Sequence, residues 1–216
     1  MLFILLLFIF CVCAFVCVCF VCMWYILNYI AKRELRRSLQ LEGYFERFND
    51  TDKQIRNNMT LDEYVASCRI LYPNEYFKLW KLRKYNFVNH KVLIFSKRFE
   101  GGFPHTHGRF IMAPSIEVIL IPRIYVHEQV HIYQRYHPLE VNAFLTKLYP
   151  IKSIATTRDN FRSNPDTNMI IYDNVTSKYK DNAKSLNDIS DRNDHPYELM
   201  AYNLEEKILN LKNNNE

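Results

Sequence analysis

The sequence predicts an α+β fold, with one N-terminal transmembrane helix followed by a compact domain in which helices surround a small sheet. Three observations carry this reading. The first 30 residues hold no charged side chain. Two short apolar runs, KVLIF at 91–95 and RFIMA at 109–113, are set apart by Gly and Pro as strands are. Longer stretches with helical character start or stop at prolines on either side of them. With 216 residues, 49% of them hydrophobic, the chain suits one domain plus the leading segment rather than two full domains.

The leading segment, MLFILLLFIFCVCAFVCVCFVCMWYILNYI at 1–30, exceeds the roughly 20 apolar residues that cross a bilayer core. No basic residue precedes the run, and it continues past Cys22, so a retained anchor is expected rather than a cleaved signal. Lys32, Arg33, Arg36 and Arg37 follow at once, which places the remaining residues on the cytosolic side. Trp24, Tyr25 and Tyr29 stand where an interfacial aromatic belt would lie. Of six cysteines only Cys68 is outside the run, so no disulfide framework is available to the domain, and the other five read as apolar filling. Sequons at Asn49, Asn58 and Asn174 point the other way, but an Asn-rich chain produces such tripeptides by chance.

Residues 31–58 are expected as a helical juxtamembrane segment with a breaker at FNDTD. TLDEYVASCRILYP reads as a helix with a Thr60/Glu63 capping box, stopped by Pro73. NEYFKLWKLRKY is a second helix. The net charge of +5 is scattered apart from FKLWKLRKYNFVNHK, with Lys78, Lys81, Arg83, Lys84 and Lys91. That run is read as a solvated helix face, with an anionic lipid surface or nucleic acid as rival partners; no nucleic-acid partner is expected. IEVILIPRIYVHEQVHIYQRYH passes from a strand-like start into a helix near Pro122 that ends before Pro138. Residues 139–150 are helical, and 152–194 form a polar stretch interrupted by one strand, NMIIY. A last helix starts at His195-Pro196. The domain spans 59–211, and 212–216 is a disordered tail. There is no internal repeat, Gly-rich phosphate loop or CxxC pair.

The chemistry concentrates in HEQVH. On a helix, positions i and i+4 differ by about 40° and 6 Å of rise, so His127 and His131 can share one metal ion. Glu128, turned about 100° from His127, stands beside the metal rather than on it, where it can act as general base toward a water. The flanks are uncharged, as a low-dielectric site that acidifies a water requires. His137 lies ten residues after His127, beyond that face.

A catalytic zinc usually takes three protein ligands. Downstream candidates are Glu140, Asp159, Asp166, Asp173, Asp188, Asp194, His195, Glu198 and Glu205. A ligand on a packed helix is held more rigidly than one on a loop, which favours Glu198 in HPYELMAYNLEEKIL, with His195 as the alternative. Glu198 also reads as an ordinary acidic residue in the first turn of its own helix.

With Ile124, Tyr125, Gln129, Val130, Ile132 and Tyr133 uncharged around the two histidines, the segment resembles the zincin metallopeptidases. Glu198 on a later helix, followed three residues on by Ala201, is similar to the gluzincin branch. The resemblance covers these two helices. It implies a zincin-like domain with a small sheet and an HExxH active-site helix, binding Zn2+ through His127, His131 and Glu198. It departs at Tyr202, where thermolysin-like members carry an Asp four residues after the ligand. In zincins the strand ahead of the active helix runs along the cleft, so His105 and His107 are expected to line a substrate groove, with a simple turn as the alternative. Arg162 could bind a substrate carboxylate or its own loop, and Tyr197, Tyr202 and Tyr172 are candidate donors to an oxyanion.

The function expected is therefore a membrane-anchored zinc metallopeptidase acting on a protein or peptide, with Glu128 as general base. Two rivals stand beside it. One is a non-catalytic zincin-like metal-binding module that binds a protein partner at a membrane. The other is a membrane-tethered binder of lipid or nucleic acid through residues 78–91, whose binding would depend steeply on salt.

Overall fold

The computed structural model describes residues 2–95, 99–154, 161–168, 170–172, 178–189 and 194–213. The anchor and residues 31–42 of the juxtamembrane segment form one helix, α1 (Leu2–Glu42). No Gly or Pro interrupts residues 2–42, and the helix stops at Gly43, whose φ of 58° is left-handed. Gly43 N–H donates to Gln40 O at 3.1 Å and Tyr44 N–H to Leu39 O at 3.2 Å. This is a Schellman ending, which favours a residue without a Cβ at that position. The N-terminal part of α1 is exposed and is long and apolar enough to cross a membrane. From Ala31 onward one stripe, Ala31, Leu35 and Leu39, is buried in the domain's core.

The helical segment is interrupted between Glu42 and Asp50, and FNDTD closes that break and starts the next helix. Asn49 caps α2 (Asp50–Ile55): its Oδ1 accepts Asp52 N–H at 2.8 Å, and Asp52 returns a carboxylate to Asn49 N–H at 3.4 Å. The expected Thr60/Glu63 box caps α3 (Leu61–Ser67). That helix ends before Pro73, because Arg69 and Ile70 pair as β1 (Arg69–Ile70) with Ile94 and Leu93. Pro73 instead opens α4 (Pro73–Leu79), which continues as a 3-10 turn over Trp80–Tyr85.

The main sheet has the order β1-β2-β4-β3. Strands β2 (Lys91–Ile94) and β4 (Phe110–Ala113) are parallel, while β1 and the edge strand β3 (His105–His107) run antiparallel to their neighbours. Leu93, Phe110 and Met112 face the cluster containing Leu35, Leu39, Tyr64 and Phe99. Val92, Ile94, Ile111 and Ala113 face the opposite cluster, with Leu71, Ile119, Tyr125 and Ile132. Strands covered on both faces read as unbroken apolar runs, which is why KVLIF and RFIMA show no alternation.

IEVIL does not form a strand. Ile116 and Ile119 sit three apart on the buried side of one helical turn, α5 (Ile116–Ile119). Helices α6 (Pro122–Tyr136) and α7 (Pro138–Leu148) both open on proline. The polar stretch contains a second small sheet, β5 (Ile151–Ile154) paired antiparallel with β6 (Ile170–Tyr172). Only β6 is prefigured in the sequence. The last helix, α8 (Pro196–Asn213), runs two residues into the segment expected to be disordered; 214–216, Asn174, Asp159 and Asp173 lie outside the described residues.

A buried ionic cluster joins the juxtamembrane segment to the rest. Arg56, 1% exposed, donates to Glu100 through Nε at 2.7 Å and Nη2 at 3.0 Å, to Asp52 at 2.7 Å and to Ser163 O at 2.8 Å. Tyr44 donates to Glu100, and Tyr179 to Asp52 at 2.8 Å. Burial works to raise the Glu100 pKa, but Arg56 outweighs it and holds it at about 2.

Candidate metal centre

Helix α6 packs between the sheet and α8. His127 and His131, one turn apart, face α8, and Glu198 comes toward them from the first turn of that helix. The separations are 3.0 Å for His127 Nε2 to His131 Nε2, and 3.3 Å from each of these nitrogens to Glu198 Oε2. An ion held tetrahedrally at about 2.0–2.1 Å has ligand-to-ligand edges of about 3.3 Å, so the triangle already has the size of one face of such a site. The donor set, two imidazoles and a carboxylate, is one that zinc accepts.

Each member is held from behind. His127 Nδ1–H donates to Glu205 Oε2 at 2.9 Å, and Glu205 is fixed by Arg123 Nε. His131 Nδ1–H donates to Gln134 Oε1 at 2.9 Å, and Gln134 Nε2 donates to Tyr197 O at 2.8 Å. Asn164 Nδ2 donates to Glu198 Oε1 at 2.7 Å, leaving Oε2 for the histidines. These bonds occupy both Nδ1 atoms and leave both Nε2 atoms directed to one point, where a bound cation would replace a ring proton. Glu205, on the same helix as Glu198, is the residue that holds His127 from behind. It lies seven residues after Glu198 in ELMAYNLE, two turns along the same helix face, and this i, i+7 spacing was the available signal. Gln134 and Asn164 carry no sequence signal that separates them from other amides. Glu205→Ala or Asn164→Ala is expected to weaken metal affinity by about 10–100-fold, read by competition with a chromophoric chelator; unchanged affinity would refute these supporting roles.

The electrostatics favour a cation. Burial works to lower the His131 pKa, but Glu198 and then Asp166 outweigh it and hold it at about 10. Burial works to raise that of Glu198, and His131 overrides it, driving it well below the usual carboxylate range. Glu128 is 4% exposed, and its Oε2 has no hydrogen-bond partner among the described residues. Burial first, then the Asp166 charge, pushes its pKa well above the ordinary value.

The centre opens into a cavity of about 390 Å³ that Glu128, His105, Arg162, Asp166, His195 and Tyr202 also line. Tyr202 sits with its ring centroid 4.7 Å from that of His127. Arg162 Nε is buried without a partner among the described residues. His105 contributes a wall: its Nδ1–H donates to Phe103 O and its Nε2 accepts from Tyr64 O–H, both at 2.9 Å. Burial lowers its pKa to about 4, so the ring is neutral.

His107 does not line the cavity. Its ring lies on the same face of β3 as that of His105, with centroids 5.2 Å apart, but its Nδ1 meets Glu42 Oε2 at 2.8 Å at the end of α1. His195 is turned to backbone, accepting Tyr197 N–H at 3.1 Å as a helix start requires. His137 is exposed and stacks on Tyr133. Tyr197 O–H donates to Asn142 at 2.8 Å. Tyr172 is buried outside the cavity lining, so Tyr202 is the one of the three candidate phenols that lines it. Edge strand β3 is covered as well: Thr106 N–H donates to Asp166 at 2.9 Å and Thr106 O accepts from Arg135 Nη2 at 3.0 Å.

No family model matches this sequence, and no curated protein or solved structure does.

Proposed function

We propose that the chain is a membrane-anchored zinc metallopeptidase with a zincin-like domain, His127, His131 and Glu198 holding the metal. The observation that carries this reading is the ligand triangle of 3.0, 3.3 and 3.3 Å, with Glu128 on the same helix beside it, its Oε2 buried and without a partner among the described residues. A helix with HExxH against a mixed sheet, with the antiparallel edge strand nearest and a second helix presenting a Glu, supports the zincin-like reading. When bound there, zinc would supply an acidified water and positive charge for the scissile carbonyl oxygen. Glu128 takes the proton of the attacking water and returns it to the leaving amine. Its buried setting excludes competing solvent. Tyr202, in the cavity wall, is assigned to donate a hydrogen bond to the substrate, and Arg162 to meet a substrate carboxylate. The cytosolic placement of the domain rests on the basic residues after the anchor. It agrees with the Asn49 side chain, whose Nδ2 is committed to Phe161 O at 2.8 Å and is not open to a glycan without losing that bond.

The test is metal analysis and peptide-library cleavage with the full chain in detergent. One zinc per chain, removed by a chelator together with cleavage and restored by zinc, is the expected result; a chain that binds no zinc would sink the proposal. One observation favours a second reading. The main-chain groups of Thr106 that an extended substrate would pair with are taken by Asp166 and Arg135, as suits a metal module that binds a partner without cleaving it. Zinc binding without cleavage of any library peptide, and partner binding kept in Glu128→Gln, would mark that case.

A further inference from the structure

The apolar run of α1 is longer than a bilayer core. Thirty residues of helix reach about 45 Å, whereas the hydrocarbon core is about 30 Å thick. Its last third therefore lies in the headgroup zone, and there the domain begins. Trp24 stacks on Tyr72 with ring centroids 6.0 Å apart. Tyr72 is the residue that leads directly into α4. Farther along α1, Lys32 donates to Ala66 O at 2.8 Å, and Arg36 pairs with Asp62 at 2.9 Å. These contacts dock the start of α4 beside the interfacial end of the anchor.

The segment placed there has an unusual exposed side. Leu82 is buried and Leu79 packs on the core, holding the segment down. Tyr76, Phe77 and Trp80 are 52%, 80% and 67% exposed, and Lys78, Lys81 and Arg83 are exposed among them. Large aromatics turned to water are costly, but aromatics mixed with basic residues match a headgroup layer, where ring and charge are both satisfied. The guanidinium of Arg83 lies 4.6 Å from the Trp80 ring centroid.

We infer that α4 and its 3-10 extension form a second, peripheral membrane contact, lying on an anionic phospholipid surface beside α1. Tyr76, Phe77 and Trp80 enter the headgroup layer, and Lys78, Lys81 and Arg83 meet lipid phosphates and carboxylates. The contact fixes the orientation of the domain over the bilayer, which a single helix leaves free to rotate about its axis. It rests on α1 crossing the membrane and does not depend on any activity at His127, His131 and Glu198.

The chain contains two tryptophans, Trp24 and Trp80, so each can be observed alone. Full-length Trp24→Phe and Trp80→Phe proteins are reconstituted into vesicles of phosphatidylcholine with phosphatidylserine at about 3:1, carrying a spin label near the headgroups. The expected result is loss of Trp80 emission comparable to that of Trp24, with protection from aqueous iodide. In Lys78→Gln/Lys81→Gln/Arg83→Gln on the Trp24→Phe background, or in vesicles without phosphatidylserine, that loss should shrink toward the lipid-free level. Trp80 open to iodide and untouched by the lipid label, while Trp24 is quenched, would overturn the inference. Quenching of Trp80 that ignores both phosphatidylserine and the three basic residues would overturn its anionic-surface assignment. If Trp24 itself escapes the label, α1 does not insert and the inference falls with it, leaving zinc binding and cleavage to be judged separately.

Discussion

Replacing Glu128 with Gln is expected to lower peptide hydrolysis by about 10²–10⁴-fold while zinc remains bound. The two side chains are nearly the same shape, but the amide cannot accept the water's proton. Glu128 is not one of the three grouped donors, so the metal should stay. Stability gives a second readout. A carboxylate that is 4% exposed with an unpartnered oxygen, beside Asp166 and Glu198, is costly to fold around. Its neutral replacement should therefore unfold at an equal or higher temperature. A variant that is inactive and also strongly destabilised would argue for a structural role, and one that still cleaves would remove Glu128 from the chemistry. The pattern of lost activity without lost stability is the one expected of a group kept for catalysis.

Arg56→Met is expected to destabilise the chain by about 3–5 kcal/mol in denaturant titrations, the cost of leaving buried carboxylates without their cation. Glu100 would lose a two-point partner, Asp52 its closest charge, and Ser163 O a donor. The effect should reach the metal centre. Ser163 adjoins Asn164, which holds Glu198, and the 161–168 segment is tied to residues 47–56 through Asn49, Asp52 and Arg56. Weaker zinc binding should thus accompany the loss of stability. Arg56→Met/Glu100→Met should cost less than the sum of the single changes, since it removes charge and counter-charge together; strict additivity would contradict the coupling.

The same cluster has a pH signature. The Glu100 pKa lies near 2 against an ordinary 4.5, so its stabilising contribution is complete above pH 4.5 and is lost as pH falls toward 2. His105, buried and neutral with a pKa near 4 against an ordinary 6.5, contributes above pH 6.5 and loses this on the way down to 4. Acid unfolding of the parent should therefore begin with the histidine and finish with the carboxylates. In Arg56→Met the Glu100 part moves to higher pH, because the charge that held its proton off is gone.

Local chemistry made much of this chain legible in order. A charge-free opening, the Thr60 and Glu63 box, prolines at 122, 138 and 196, and a four-residue histidine spacing are each explained by neighbours within one or two helical turns. Even Glu198 could be named, because an acidic residue opening a later helix is a short-range pattern. What sequence order could not supply was partner choice across long separations. The continuity of α1 through residue 42 follows from local composition, yet where the domain begins on it depends on burial of Ala31, Leu35 and Leu39. β1 replaced the end of a helix because Ile70 found Leu93, and IEVIL became a helical turn that buries Ile116 and Ile119 on one side. His105 and His107, two residues apart on one face of β3 with ring centroids 5.2 Å apart, were distinguished only by their long-range partners. One ring is bonded by Tyr64 and Phe103 at the cavity wall, and the other is drawn to Glu42 at the end of α1. Asn164, Gln134 and Glu205 are ordinary polar residues until packing sets them behind the three donors. Helix periodicity acts over a few residues and is written in them, whereas hydrogen bonds spanning 34 to 78 residues exist only once the chain has closed on itself.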